Sequence, residues 1–490
     1  MASINNKPLT DPEWTNRFQF NITDDGSGTV KFAKEELGEP DALYRNLGKG
    51  RFKLVPWTEG AFLDEDGKPL THPPFDWGLS TMFHDLNNDG KPDLYVCNDF
   101  KTPDRIWIND GHGRFRAIDR LAIRQISFSS MGVDVADIDG DGFDDVFVGE
   151  MLSRDHRRRL VQRTNLRPEV LPLGAIDNRP QYARNTLLLN RGDGTYAEIA
   201  QYAGLEASEW SWTPIFMDVD LDGYPDLLVA NGFARDSMNV DALDASQRAS
   251  MGQPVSAQAT IQRRRLFPRL ATPNCAFRNL GSLKFAEVGR QWGFDTAVIS
   301  QGMCLADLDN DGDMDVVANN FNSAAGVYRN DTAKPRVAVM LKGLPPNTRG
   351  TGARLRAYGG PVSLQSQEII SGGRYLSCDQ AMRVFAAGSL TNRLRVEVDW
   401  PGGRRSVVND VPANYIYEID EAYAVPAPHQ PASPVQPFFE DVSRLLRHTH
   451  HEEPFDDFAR QPTLPKRLSQ LGPGVCWCDV NGDGWDERCS

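Results

Sequence analysis

The sequence predicts an all-β protein built from repeated four-stranded blades, and three observations carry that prediction. The first is a nine-residue acidic pattern that occurs five times. The copies are Asp85-Leu-Asn87-Asn-Asp89-Gly-Lys91-Pro-Asp93, Asp137-Ile-Asp139-Gly-Asp141-Gly-Phe143-Asp-Asp145, Asp218-Val-Asp220-Leu-Asp222-Gly-Tyr224-Pro-Asp226, Asp307-Leu-Asp309-Asn-Asp311-Gly-Asp313-Met-Asp315 and Asp479-Val-Asn481-Gly-Asp483-Gly-Trp485-Asp-Glu487. The second is the short apolar run after a loop, such as Leu94-Tyr-Val-Cys97, Val146-Phe-Val-Gly149, Leu227-Leu-Val-Ala230 and Val316-Val-Ala318, which reads as a buried strand. The third is a strand, Asn, Gly-rich turn and aromatic strand at 43–52, 106–115, 187–196 and 276–285, the pattern of a β-hairpin.

One repeat is therefore strand, acidic loop, strand and hairpin. The first two loops start roughly 50 residues apart, close to the ~40–50 of a four-stranded propeller blade. Longer gaps place insertions at about 151–185, with a basic start (Arg154 to Arg159), and about 232–272, rich in Ala, Gln, Met and Arg and expected to be partly helical. Blades are expected over 1–332. The acidic loops then stop, and alternating segments such as Arg336 to Leu341 and Arg393 to Trp400 predict a separate small β domain over 333–424. A Pro-rich linker at 425–436 is expected to be extended, and blade-like sequence resumes over 437–490. Both ends read as cut: 38–55 is a closing hairpin without its loop, and only Arg-Cys-Ser follows Glu487.

The 490 residues carry a formal charge of −14, which argues against nucleic acid or an anionic membrane as the main partner. Eighteen carboxylates at the side-chain positions of the five loops account for much of that acidity. No apolar run is long enough to span a membrane, and the start lacks the apolar core of a signal peptide. Seven cysteines give no disulfide framework; Cys97, Cys304 and Cys476 read as small apolar fillers.

Oxygen donors at loop positions 1, 3, 5 and 9, with a backbone carbonyl at 7 (Lys91, Phe143, Tyr224, Asp313, Trp485), suit a hard cation with six or seven oxygen ligands. Calcium is favoured over magnesium, because a flexible loop rarely supplies a strict octahedron, and up to five ions are expected. Zinc and copper lack their ligands here. An EF-hand is rejected, because its twelfth-position glutamate is replaced by Val96, Val148, Val229, Ala318 and Ser490.

The loop and its hairpin resemble the FG-GAP/VCBS repeat of integrin-α-type β-propellers. Gly350-Thr-Gly-Ala-Arg, Gly372-Gly-Arg-Tyr-Leu-Ser377 and Val398-Asp-Trp-Pro-Gly-Gly403 resemble the ASPIC/UnbV domain. Together they resemble the cartilage-acidic-protein-like family, particularly its large bacterial members. That resemblance implies calcium at the five loops, weaker where Asn87, Asn481 and Glu487 depart from the pattern. It also implies an extracellular or cell-envelope protein that binds a protein or glycan ligand without catalysis and without membrane insertion. A carbohydrate-active propeller enzyme or an assembly scaffold is the alternative.

Other features are read as secondary. Arg191-Gly192-Asp193 falls in a hairpin turn; His448, His450 and His451 offer a transition-metal cluster; Arg157 to Arg159 and Arg263 to Arg265 could take phosphate or an anionic glycan. Asn21 and Asn330 begin glycosylation sequons.

Overall fold

The computed structural model describes residues 38–100, 102–163, 179–251 and 256–427, with short stretches before and after them. Two compact units are present, Met1–Ala427 and Pro428–Ser490. Strands dominate at 37%, against 11% helix, so the fold is all-β and blade-like.

In the larger unit, three sheets have the predicted four-stranded order. Blade one is Gly78–His84, Asp93–Asn98, Arg105–Asn109 and Phe115–Ala117, with Phe62–Leu63 added in parallel at its outer edge. Blade two is Gly132–Ala136, Asp145–Gly149, Thr186–Asn190 and Tyr196–Glu198. Blade three is Ser211–Met217, Asp226–Asn231, Cys275–Asn279 and Phe285–Glu287. Blade four has three strands, Ser300–Ala306, Asp315–Asn320 and Gly326–Tyr328. Each acidic loop joins the first strand of a blade to the second. The hairpin at 43–52 forms as well, from Tyr44–Asn46 and Phe52–Leu54.

Strand side chains alternate between two faces, and here each face meets a different neighbouring blade. Val146 and Val148 pack with Met82, Tyr95 and Cys97 of blade one. Phe147 between them packs with Phe216, Leu227 and Val229 of blade three. Ile215 and Leu228 continue the series to Met303, Leu305 and Val316 of blade four. Runs buried on both sides therefore read as continuous apolar sequence.

The insertion at 232–272 holds helix as expected, and the one at 151–185 holds a short helix that was not expected. His156–Val161 is capped by Asp155, Val240–Ser250 by Asn239 and Ala257–Arg264 by Ser256, each cap accepting a hydrogen bond from a backbone N–H of the first turn.

The small β domain has a three-stranded sheet (Met382–Ala386, Arg336–Lys342, Tyr415–Asp420) and a five-stranded one (Gln365–Glu368, Arg354–Tyr358, Arg393–Trp400, Arg404–Pro412, Val425–Pro426). Val337, Val339, Leu355, Phe385, Val396, Val398 and Trp400 fill the core between them. Val425 and Pro426 pair with Arg405 and Arg404, so the first two residues assigned above to the linker are sheet. A proline ends that strand at the sheet edge, where its missing N–H is not needed.

In the smaller unit, Cys476–Cys478 pairs with Glu487–Cys489 around the fifth loop. His448 and His450 lie outside the described residues; the sequon at Asn21 falls in the strand Phe18–Asp24, which pairs with Val30–Glu36; His451 is exposed, its Nε2 3.6 Å from Glu453.

Candidate cation loops and the domain that covers them

The five loops share one hydrogen-bonded frame. The position-1 carboxylate accepts the N–H groups of positions 5 and 6: 3.0 and 2.9 Å at Asp85, 3.1 and 3.0 Å at Asp137, 3.0 and 2.8 Å at Asp218. Asp307 (3.1 and 3.1 Å) and Asp479 (3.2 and 2.8 Å) repeat it. The position-5 carboxylate accepts the N–H of position 7 at Asp89, Asp141, Asp222, Asp311 and Asp483. Curling the chain this tightly requires left-handed backbone at position 6, always Gly, and also at position 4. Position 4 is Asn88 (φ 59), Gly140 (77), Leu221 (50), Asn310 (62) and Gly482 (77).

At position 9 the aspartate ties the loop to its hairpin. Asp93, Asp145, Asp226 and Asp315 accept one N–H from position 2 and another from the hairpin asparagine, at 2.7–3.1 Å. The Asn side chain then reaches the preceding blade. Asn190 Nδ2 donates to Leu86 O (3.3 Å), Asn279 Nδ2 to Ile138 O (2.8 Å) and Asn330 Nδ2 to Val219 O (3.1 Å). Position 7 covers the hairpin turn, where a Cβ on Gly192 would stand 2.8 Å from the Phe143 ring and one on Gly281 2.9 Å from Tyr224. These contacts explain the fixed offset between loop and hairpin.

Carboxylate oxygens converge at three loops: Asp137, Asp139 and Asp145; Asp218, Asp220 and Asp226; Asp307, Asp309 and Asp311 each bring ligand atoms within 4.8 Å of one another. Burial pushes Asp93, Asp137 and Asp218 up to about 7 and Asp226 to about 8, with neighbouring carboxylates adding to the rise. Asp220 Oδ1 is buried and takes no hydrogen bond. An all-oxygen set of crowded carboxylates, with one oxygen that takes no hydrogen bond and has Lys334 Nζ 3.7 Å away, fits a hard divalent cation. The loops differ in how much protein cation they already hold. Loop one has Lys91 on Asp89 (3.2 Å), loop three Arg278 on Asp220 and Asp222 (2.8 and 3.0 Å), and loop four Arg336 on Asp311 (2.9 Å). Asp137, Asp139, Asp141 and Asp145 of loop two have no basic partner within ion-pair distance among the described residues.

The small β domain covers the loop end of the blades. A Cβ on Gly142 would stand 3.3 Å from Leu364 Cδ2, one on Gly223 2.9 Å from Val362 Cγ2, and one on Gly312 3.7 Å from Ile416 Cγ1. Its segment 371–379 passes between the first strands of all four blades. Gly373 lies against Met82, Arg374 pairs with Asp134, the Tyr375 ring is 5.1 Å from that of Trp212, and Ser377 Oγ donates to Met303 O. Met82, Leu305, Met314, Ile370 and Met382 line a cavity of about 90 Å³ beside it.

A buried ionic cluster joins the two parts, and the sequence reading missed it. Arg354 Nη1 donates to Asp144 Oδ2 (2.7 Å) and Nη2 to the Asp85 carbonyl (3.0 Å), while His84 Nε2 lies 2.6 Å from Asp144 Oδ2 and 3.5 Å from Glu368 Oε2. Glu368 Oε2 accepts the Asp85 N–H at 3.1 Å. The Arg354 guanidinium and His84 hold the Asp144 carboxyl well below the usual range against its burial. His84, Asp144 and Glu368 have the donor types of a metal site. With the guanidinium seated on Asp144, they act as an ion-pair network instead.

Sequence comparisons agree with this anatomy. The FG-GAP-like repeat family matches residues 85–148 and 173–229, and the ASPIC and UnbV family matches residues 343–426. The chain carries FG-GAP-like repeats and an ASPIC and UnbV domain. The comparison with curated proteins returned no match. Among solved structures, an Agrocybe aegerita lectin described as recognising non-reducing terminal N-acetylglucosamine is 14% identical, with a TM-score of 0.28, over 64% of this chain and 66% of that one. The V. cholerae biofilm matrix protein Bap1 is 12% identical, with a TM-score of 0.19, over 80% of this chain and 62% of that one. The chain thus spans just under two thirds of each.

Arg191, Gly192 and Asp193 form the exposed hairpin turn of blade two, where Asp193 Oδ1 accepts from Thr195 N and Oγ1. Asn330 is partly buried and spends its amide on Val219, which a glycan on that nitrogen would break. Cys97 is buried as a core filler and Cys304 is partly buried. No helix among the described residues is long and apolar enough to cross a membrane.

Proposed function

We propose that this chain is a calcium-binding, non-catalytic binding or adhesion module of the cell exterior or envelope. The observation that carries the proposal is the repeated loop frame. Backbone N–H groups pin one oxygen set of positions 1 and 5 in all five loops, and three loops gather further carboxylates within 4.8 Å. Such frames suit cations held mainly by structure, and the millimolar calcium outside cells fills even weak sites. FG-GAP-like repeats are found mostly in extracellular proteins, which supports the location.

Each ion would neutralise crowded carboxylates where a loop, its own hairpin and the next blade's asparagine meet. Calcium therefore serves as a brace between blades. The Asp144, Glu368, His84 and Arg354 groups are committed to one another, which favours a binding protein over an enzyme. Titration with CaCl2 in a calorimeter, beside an MgCl2 control, tests the reading. Saturable heat with calcium and a melting temperature that falls on EGTA treatment are expected; no heat and no shift would remove calcium from the account.

A further inference from the structure

The charge of this acidic protein is distributed unevenly. Residues 151–163 and 232–272 contain eleven arginines and no lysine against four aspartates, in a chain of net charge −14. Both segments follow the second strand of a blade, at the end opposite the acidic loop that precedes it. They therefore emerge at the strand ends opposite the acidic loops, where the ASPIC and UnbV domain reaches only as far as Tyr375 on Trp212, whose Nε1 donates to Gly232 O (2.8 Å).

The two insertions form one surface. Gln162 bridges to Asn239, Arg163 N donates to Met238 O (2.6 Å), and Asp236 N donates to Pro268 O (2.9 Å). Some of the arginines serve the fold: Arg154 pairs with Glu287, Arg158 with Glu209 and Arg159 with Glu206, and Arg235 donates to the Phe267 carbonyl. Six others, Arg157, Arg163, Arg248, Arg264, Arg265 and Arg269, are exposed and make no ion pair or side-chain hydrogen bond among the described residues. A purely structural face would pair such groups with the abundant aspartate and glutamate of this chain.

We propose that this arginine surface binds a linear anionic polysaccharide through its carboxylate or sulfate groups. The proposal rests on the binding-module reading above and names its ligand class. Guanidinium is the cation whose planar fork matches both oxyanions in a bidentate manner. A thin flexible polyanion touches the patch alone. A planar anionic bilayer would bring the acidic remainder of the body within the ~8 Å over which charges still act, and would be repelled. Exposed charge also makes the affinity depend on salt.

The test is binding of the intact chain, with calcium present, to polygalacturonate, heparin, neutral dextran and anionic phosphatidylglycerol vesicles at two salt concentrations. The carboxylated and sulfated arms separate the two oxyanions. Saturable, salt-sensitive binding to one or both, with none to dextran, is expected. The variant Arg157→Ala/Arg264→Ala/Arg265→Ala/Arg269→Ala should lose at least tenfold in affinity at an unchanged melting temperature. The corresponding lysine variant should recover only part of it, and Arg191→Ala should bind as wild type. Binding to vesicles alone, to every polyanion equally in the alanine variant, or to none would overturn the proposal. A calcium titration with normal heat in the same preparation shows that such a failure belongs to this inference and leaves the calcium reading intact.

Discussion

Substituting Arg354 tests whether the ASPIC and UnbV domain is locked to the blades by charge. The side chains of Arg354, His84, Asp144 and Glu368 are only 3–5% exposed. Arg354→Ala removes one guanidinium from contact with Asp144, Glu368 and the Asp85 carbonyl, and leaves the carboxylates facing one another with His84 as their remaining cation. Breaking a buried pair from one side costs roughly 3–5 kcal/mol, a large part of the ~5–15 kcal/mol that holds a domain together. The loss should concentrate at this interface, so hydrogen exchange at 85–93 and 354–368 should accelerate more than in the core strand Val337–Val339. Asp144→Ala alone should cost a similar amount. The double variant should cost less than the sum, by about 1–3 kcal/mol, because the second substitution removes a charge the first had orphaned. Melting curves in saturating calcium and exchange measured by mass spectrometry supply both readings. Additive costs, or an Arg354→Ala cost below about 1 kcal/mol, would refute a cohesive cluster.

Gly223→Ala should destabilise through two separable effects. Its φ of +99° costs a side chain about 1 kcal/mol or more, and its Cβ would meet Val362 Cγ2 at 2.9 Å, adding roughly 1–3 kcal/mol of overpacking. Gly194→Ala, at φ +83 with nothing within 4 Å, should show the backbone cost alone; equal melting temperatures for the two would mean that the domain does not press on loop three. Glu150 provides a pH test away from the loops. It is 1% exposed, Oε2 accepts the Met151 N–H at 2.7 Å, Oε1 takes no hydrogen bond, and burial pushes the carboxyl up to about 8. A carboxyl raised above its unfolded value favours the fold fully below about 4.5 and loses that contribution as pH rises to about 8. The melting-temperature difference between Glu150→Gln and wild type should therefore grow in the variant's favour from pH 5 to pH 8; a constant difference would show that Glu150 ionises freely.

Local features were legible in the sequence because their causes are local. The strand after each loop announced itself by apolar runs, since residues such as Val146, Phe147 and Val148 are buried on both faces between neighbouring blades. The loop frame was legible because its donors and acceptors lie within nine residues. The left-handed fourth position went unread, although Asn88, Gly140, Asn310 and Gly482 all favour it; Leu221, buried at 3% exposure, breaks that signal. The interface cluster had no local signature. Glu368 and Asp85 meet across 283 residues, and Arg354 and Asp144 across 210, so no period or spacing links them. Asp144 stands where the other loops have Pro92, Pro225, Met314 and Asp486, so the acid at that position does not by itself single out loop two.

The position of the ASPIC and UnbV domain changes what the acidic loops can do. An exposed calcium loop could bridge directly to a ligand, leaving coordination sites for the partner's oxygens. Here Leu364, Val362 and Ile416 stand against the glycines of loops two, three and four, and Arg336 already lies on Asp311 of loop four. A ligand would have to displace a domain whose segment 371–379 is threaded between four blades. Because the loops and the docked domain share the same backbone, the proposed cation binding and domain docking are linked, and any coupling acts on both by the same factor. Loop two, without a basic partner among the described residues, should show that coupling most strongly, and loop four least. On the proposed reading, recognition falls to the opposite strand ends, where six arginines of the two insertions make no ion pair among the described residues.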